Sequence, residues 1–188
     1  EKRLSAQQLR VMGKMMVQPF DLWDAQSKVN PASALALTAV FAAISNISRD
    51  LARVPMSVYK RREDRRGADL VWDHALTPIL SGSPDGFRTT MSVRQTMAAH
   101  CLGYGNAIAE IERSRDRKTI LGYHPIHPSG VEAERVVGKD GRPTVVYHIG
   151  NGKQLDAANV IHYYGLTYDG IWGISPIQAA ATNLAVGM

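Results

Sequence analysis

Residues 33–60 constrain the fold most, because they predict a long helix that ends at a proline. Large apolar side chains recur there every three or four residues, a spacing that places them on one face of a helix. They are Leu37, Val40, Phe41, Ile44, Ile47 and Leu51. Pro55 cannot continue the helix, and residues 56–60 then alternate like a half-buried strand. We expect this apolar stripe to anchor the core.

A neighbouring flank of the same helix carries the small residues Ala36, Ala39 and Ala43. Small side chains permit close approach by another element, so we expect this flank to meet a neighbouring segment or subunit. Leucine at Ala39 or Ala43 would then be more harmful than leucine at Ala42. The alternative is that the alanines reflect helix propensity alone.

The composition is that of an ordinary folded domain. The 188 residues are 45% apolar and 21% charged, with a net charge of +5 that favours ordinary surface charge over a polyanion-binding surface. The single cysteine, Cys101, excludes an internal disulfide and fits a reducing compartment. Residues 29–48 are uncharged over the length of a bilayer span, but their polar side chains favour a soluble helix. We expect no signal peptide and no membrane partner.

The two ends of the sequence are distinct from its middle. Residues 1–18 predict an amphipathic helix, which either packs on its own domain or docks on a neighbouring subunit; its apolar residues are Leu4, Leu9, Val11, Met12, Met15 and Met16. We assign residues 1–31 to an arm and linker, with 19–31 as the linker, and 32–174 to one domain. Residues 175–188 start a helix, with Ser175 as its cap and Pro176 in its first turn. This helix has no stop signal, so we expect the chain to be a fragment or to continue.

The middle of the chain predicts an α+β fold, with helices packed on antiparallel sheet and hairpins. A second helix is expected to be capped by Thr90 or Ser92 and to stop at Gly103. Its inward residues would be Val93, Met97, Ala98, Cys101 and Leu102. A short helix or turn is expected at 73–80, and strands at 108–113, 119–125, 131–137, 144–149 and 160–164.

Residues that could carry catalysis form no recognisable motif. The chain has no HExxH, CxxC or GxSxG pattern, and prolines separate His124 from His127 on any helix. Cys101 follows His100, but adjacent helical residues point about 100° apart, so Cys101 is expected to be a small buried hydrophobe. Glu132 and Glu134 share the face of a surface strand. We predict no catalytic, metal-binding or cofactor-binding residues.

Two polar stretches could bind a ligand by their composition. Residues 103–106 lack the GxGxxG spacing and lead into a strand, which favours a backbone turn over a phosphate site. Residues 60–66 are seven consecutive charges between two apolar runs, which predicts a solvated hairpin tip. Nucleic-acid binding through this tip is the alternative.

The order of several segments resembles the portal protein family of tailed bacteriophages, the head-to-tail connectors. The resemblance runs from about residue 33 to the end, and it rests on segments 39–59, 73–80, 102–111, 122–128, 159–163 and 169–177. Residues 81–85 depart from the family, whose members usually carry an Asn-Pro pair there.

The resemblance implies a structural virion protein without an active site. Such portals form a ring, usually of twelve subunits, at one capsid vertex, where DNA is packaged and ejected and the tail attaches. Implied partners are the terminase large subunit, capsid and scaffold proteins, a head-tail adaptor and double-stranded DNA in the channel. The location would be the virion, and the host cytoplasm during assembly. Residues 32–174 resemble the wing, and the stem, clip and crown would lie downstream.

Two functions of other classes stay open from the residues themselves. One is a hydrolase or metal-dependent enzyme built from His124, His127, His162 and Asp169. The other is a basic nucleic-acid-binding module using residues 60–66, chiefly Arg61, Arg62, Arg65 and Arg66.

Overall fold

The computed structural model describes residues 38–64, 66–138, 141–150 and 152–180. The predicted N-terminal helix at 1–18 and the linker at 19–31 lie outside these residues, as do 181–188 of the last helix. No helix within the described ranges is long and apolar enough to cross a bilayer.

The first helix, α1, spans Thr38–Arg53 and is followed by an exposed hairpin of β1 (Tyr59–Arg61) and β2 (Ala68–Leu70). The expected half-buried strand at 56–60 is wrong in extent and burial. Met56 precedes the strand and is exposed, and all three residues of β1 are exposed. The predicted hairpin tip is nevertheless present.

Helix α2 (Thr77–Ser81) is short, and α3 (Thr90–Tyr104) is the central helix. The cap of α3 is Thr89 and not Thr90 or Ser92: its side chain accepts a hydrogen bond from the Ser92 N–H. The helix also continues past Gly103, because Gly105 supplies the left-handed residue (φ 76°) that ends it.

Two antiparallel three-stranded sheets follow. The first has the order β4 (Ile120–Ile126), β3 (Asn106–Arg113), β8 (Val160–Tyr164). The second has the order β5 (Val131–Val137), β6 (Pro143–Ile149), β7 (Lys153–Asp156). Single 3₁₀ turns at Pro128–Gly130 and Ala157–Asn159 lead into β5 and β8. The five strands predicted between 108 and 164 are all present, with ends that differ by at most two residues.

Strand β3 separates two apolar clusters, because its side chains alternate between the faces of the sheet. Ala107 and Ala109 face α3 and pack with Met97. Ile108 packs on the other side with residues of the second sheet, namely Val131, Ala133 and Tyr147. The α+β class predicted from the sequence is confirmed.

Helix α1 packs on α3 in an orientation that buries only part of the predicted core stripe. Its buried residues are Ser48 and Ala52, whereas Ile47 and Leu51 are 47% and 55% exposed. Each large residue precedes a buried small one by one position, about 100° around the helix. Ser48 and Ala52 therefore face α3, and Ile47 and Leu51 face outward. Two other members of the stripe, Val40 and Ile44, are partly buried. Phe41 is also exposed, as are the alanines of the predicted small-residue flank that the structure describes, Ala39 and Ala43, and the comparison residue Ala42.

Helix α4 spans Pro176–Ala179 within the described residues. The Ser175 side chain accepts a hydrogen bond from the Gln178 N–H, as the predicted cap requires. Its hydroxyl also donates to the carbonyl of Gly103 at the end of α3. The start of α4 is thereby fixed to the central helix.

Candidate functional site

The four residues proposed for a metal or hydrolase site lie in separate environments. His124 on β4 pairs with Glu112 on β3, with Nε2 2.9 Å from Oε2. His127 lies beyond the end of β4, whereas His162 belongs to β8 and Asp169 to the loop after it. Within the described part of the chain, no group of three or more His, Cys, Asp or Glu residues could hold a metal ion. The structure therefore does not assemble this set.

His100 and His127 contribute instead to a cluster of rings beside α3. Ring centroids lie 5.2 Å apart for His100 and His127, and 4.7 Å apart for Tyr104 and His127. The cluster borders a cavity of about 190 Å³. Burial, with smaller contributions from the charges of His127 and Arg88, lowers the pKa of His100 to about 4. His100 is therefore neutral near pH 7.

Cys101 matches the expectation of a small hydrophobe. Its side chain is half-buried and packs against the cluster of Met97, Ala107 and Ala109. Burial raises the pKa of the thiol, which keeps it protonated and weakly nucleophilic at neutral pH.

The charged hairpin tip is partly neutralised within itself. Arg62 donates to Asp69 Oδ1 from both Nε and Nη2, at 2.8 and 2.6 Å. Both side chains are exposed, so the pair contributes little stability, but it balances one of the tip's positive charges. Lys60, Arg61 and Arg66 are also exposed, and Arg65 lies outside the described residues.

Asn106 at the start of β3 is the most thoroughly bonded buried polar side chain described. It is 0% exposed. Its Oδ1 accepts from the Gly173 N–H at 2.7 Å, and its Nδ2 donates to the carbonyls of Gly173 at 2.8 Å and Tyr104 at 3.2 Å. These backbone partners fix which end of the amide is the acceptor.

His162 extends this network to the second sheet. Its Nε2 lies 3.1 Å from Asn106 Oδ1, and its Nδ1 lies 3.1 Å from the hydroxyl of Tyr147 on β6. Because Oδ1 can only accept, Nε2 carries the proton and Nδ1 accepts from the Tyr147 hydroxyl. Burial lowers the pKa of His162 to about 4, so it is a neutral structural residue near pH 7.

Asp169 organises the loop between β8 and α4. Its Oδ1 accepts from the N–H groups of Ile171 and Trp172 and from the Thr167 hydroxyl, at 2.8–2.9 Å. Burial acts to raise the pKa of Asp169, but these hydrogen bonds outweigh it and the pKa lies below its usual value. The carboxylate therefore serves as an internal cap of the loop.

Two glycines let this loop lie directly on the end of α3. The N–H of Gly165 donates to the Gly105 carbonyl at 2.9 Å. A Cβ on Gly105 would collide with the backbone of Ile174, and one on Gly173 would collide with the Gly105 carbonyl. We call this region the polar junction, and it determines where α4 begins. It consists of Asn106, Asp169, Gly105 and Gly173.

The strand β8 and the loop after it also expose large side chains. Four large side chains of β8 and the following loop are between 45% and 74% exposed, namely Tyr163, Tyr164, Leu166 and Tyr168. A second apolar surface, which we call the outer α1 face, consists of Ile47, Leu51 and Val54. Exposed apolar groups of this size are typical of binding surfaces, so these two are the candidate functional surfaces.

Sequence reasoning missed the polar junction. The sequence predicts only a backbone turn at 103–106, and no local pattern identifies partners that lie 67 residues away from Asn106. The one available signal is a cluster of glycines at both places, Gly103 with Gly105 and Gly170 with Gly173.

Comparison with known proteins gives consistent relatives. Residues 38–188 match the family model described as phage portal protein. A curated relative, the portal protein of Enterobacteria phage HK97, is 25% identical over 167 residues, covering 86% of this chain and 38% of the relative. The chain thus spans about two fifths of that relative's length.

Solved structures share the fold at lower identity. An HK97-family phage portal protein from Corynebacterium diphtheriae superposes with a TM-score of 0.56 at 19% identity, covering 86% of this chain and 46% of that one. A chain from the neck of an empty gene transfer agent particle, computed with C6 symmetry, gives 0.59 at 21%, covering 83% and 42%. A chain from a native particle's neck, computed with C12 symmetry, gives 0.57 at 18%, covering 94% and 47%.

Proposed function

Because this chain belongs to the phage portal protein family, we propose that it is the wing-like part of a portal, a structural protein of the virion. In this proposal the complete gene product forms a closed ring at one capsid vertex. DNA enters and leaves through the ring, and the tail attaches to it. The observation that carries the proposal is the continuous family match over residues 38–188.

The surface of the domain suits a subunit of a ring. Ring contacts are heterologous, so each subunit needs two different patches that fit each other. The described residues expose large apolar side chains in several places besides α1, among them Trp72, Phe87 and Tyr168. The C6 and C12 symmetries of the particle necks that share this fold support a ring near twelve-fold.

We further propose the domain division given above. Residues 1–31 would be an arm and linker, 32–174 the wing-like domain, and 175–188 the start of a helix toward the remainder of the portal. The Ser175 cap and the polar junction support this assignment, because they fix the direction in which α4 leaves the domain.

The proposed partners are those of a portal in assembly and in the virion. They are further copies of this chain, the terminase large subunit, capsid and scaffold proteins, a head-tail adaptor and the DNA in the channel. The protein would assemble in the host cytoplasm and remain in the virion. Its role would be structural and not catalytic.

Negative-stain microscopy of the purified complete gene product tests the proposal. We expect closed rings with close to twelve subunits, and a mass from light scattering that agrees with the count. A complete product that stayed monomeric across protein and salt concentrations would contradict it. A stoichiometric, tightly bound metal ion in elemental analysis would instead favour an enzyme.

A further inference from the structure

The outer α1 face exposes large apolar side chains over the last two turns of α1 and just beyond its end. Ile47, Leu51 and Val54 follow each other at intervals of three or four residues, and each is about half exposed. The charged residues Arg49, Asp50 and Arg53 lie on a different side of the helix. A continuous exposed apolar row of this kind indicates a docking surface.

The row borders an open groove between α1 and α3. This groove has a volume of about 350 Å³ and is lined by Phe41 and Ile44 from α1 and by Gln95, Thr96 and Ala99 from α3. Three serines and His100 complete its lining, so most of the groove is lined by small or polar side chains. Its open volume beside Phe41 and Ile44 can take large side chains from a packing helix.

The sequence before α1 supplies such a face. Placed on a helix, Leu4, Val11 and Met15 fall within about 40° of each other, and Met12, Met16 and Leu9 continue the same arc. Arg3, Arg10 and Lys14 fall on the opposite side. Methionine side chains are flexible and fill irregular grooves.

The length of residues 4–16 and their attachment to the same chain favour them as the segment that covers the outer α1 face. Residues 4–16 would form a helix of roughly 20 Å, and α1 is roughly 24 Å long. The intervening residues 17–37 can span at most about 70 Å, enough to reach either end of α1. Attachment to the same chain raises the local concentration of the segment to about the millimolar range. A helix this short is marginal in water on its own and gains stability by packing.

We propose that residues 4–16 dock their leucine and methionine face on the outer α1 face and in the groove beside it. The basic side of the segment then faces solvent, away from Arg49 and Arg53. This docking does not depend on ring assembly, because the segment belongs to the same chain as the helix that it covers.

Cysteine cross-linking of the whole 188-residue chain tests the contact. In a Cys101→Ala background, Met12→Cys is combined with Ile47→Cys and treated with a short bismaleimide. The matched control combines Met12→Cys with Glu132→Cys, an exposed position on the second sheet. We expect at least tenfold faster cross-linking for the Ile47 pair. Equal rates for the two pairs, or no product from the Ile47 pair, would overturn the proposal.

Carbene footprinting gives a second measurement that does not use cysteines. Met12→Asp with Met15→Asp should raise the labelling of residues 47–54 several-fold, because the docked face is lost. Arg10→Asp with Lys14→Asp changes the opposite side of the segment and should leave labelling unchanged. Unchanged labelling in the Met12→Asp with Met15→Asp variant would overturn the proposal. If labelling also fell as the protein concentration rose, a second copy would be what covers α1.

Discussion

Asn106 and Gly173 are joined by a pair of reciprocal hydrogen bonds, although 67 residues separate them in sequence. The Asn106 amide accepts from the Gly173 N–H and donates to the Gly173 carbonyl, as a strand partner would. The side chain thus replaces a missing backbone neighbour at the point where β3 begins. The loop that leads into α4 is held by this contact.

Removing this amide should destabilise the domain strongly. Asn106→Ala leaves buried backbone groups of Gly173 and Tyr104 without partners, and we expect a loss of about 3–5 kcal/mol in the free energy of unfolding. Urea denaturation followed by circular dichroism measures it. Asn46→Ala, at an exposed position on α1, is the matched control and should change stability by less than about 0.5 kcal/mol. Similar losses for both variants would show that Asn106 is not a special residue.

Three glycines in different surroundings predict a graded loss of stability when each is replaced by alanine. Gly105→Ala combines a positive φ with a collision against Ile174, so it should cost about 3 kcal/mol or more. Gly170→Ala has a positive φ but open space, and it should cost about 1–2 kcal/mol. Gly130→Ala has neither problem and should be close to neutral. Thermal unfolding of the three variants checks the order, and a Gly130 variant as damaging as the Gly105 variant would contradict it.

Local signals predicted local structure well. The Ser175 cap depends on residues three positions apart, and the β5–β6 hairpin on alternation around a tight turn, so both could be read directly. Which side of α1 packs on α3 could not be predicted. The apolar stripe shows which residues tend to avoid water, but it does not show which other element packs against them. Ser48 and Ala52 face α3 because small residues let two helices approach closely. A search for large apolar residues at helical spacing does not identify them. The role of Asn106 depends on a distant loop and has no local pattern.

The orientation of α1 on α3 can be checked by comparing the stability of variants on its buried and exposed sides. Ala52 is completely buried, so Ala52→Leu should overpack the contact with α3 and cost about 2–3 kcal/mol. Leu51→Ser, on the exposed side, should cost less than about 1 kcal/mol in the isolated domain. Chemical denaturation of both variants measures the difference. A larger loss for Leu51→Ser would restore the stripe as the core face.

Two half-buried histidines, His100 and His162, predict a loss of stability in mild acid. The folded-state pKa values of His162 and His100 are each about 4, below the unfolded value near 6.5, so the unfolded chain binds more protons between these two pH values. Stability should be full above about pH 6.5 and fall as the pH drops toward 4. The rings and amide around His162 are neutral, from Tyr147, Tyr164, Trp172 and Asn106, so no described carboxylate offsets its protonation there.

Substitution separates the two histidines. His162→Gln should remove about half of the pH dependence between pH 4 and 6.5, or about 1–2 kcal/mol after allowance for solvent screening, and His100→Gln should remove most of the rest. The lowered pKa values of Asp85 and Asp169 lie below 3.8, so those groups act at lower pH. Urea titrations at half-unit pH steps give the free energy of unfolding. His74→Gln, at an exposed position, is the control, and an equal effect there would contradict the assignment to the half-buried histidines.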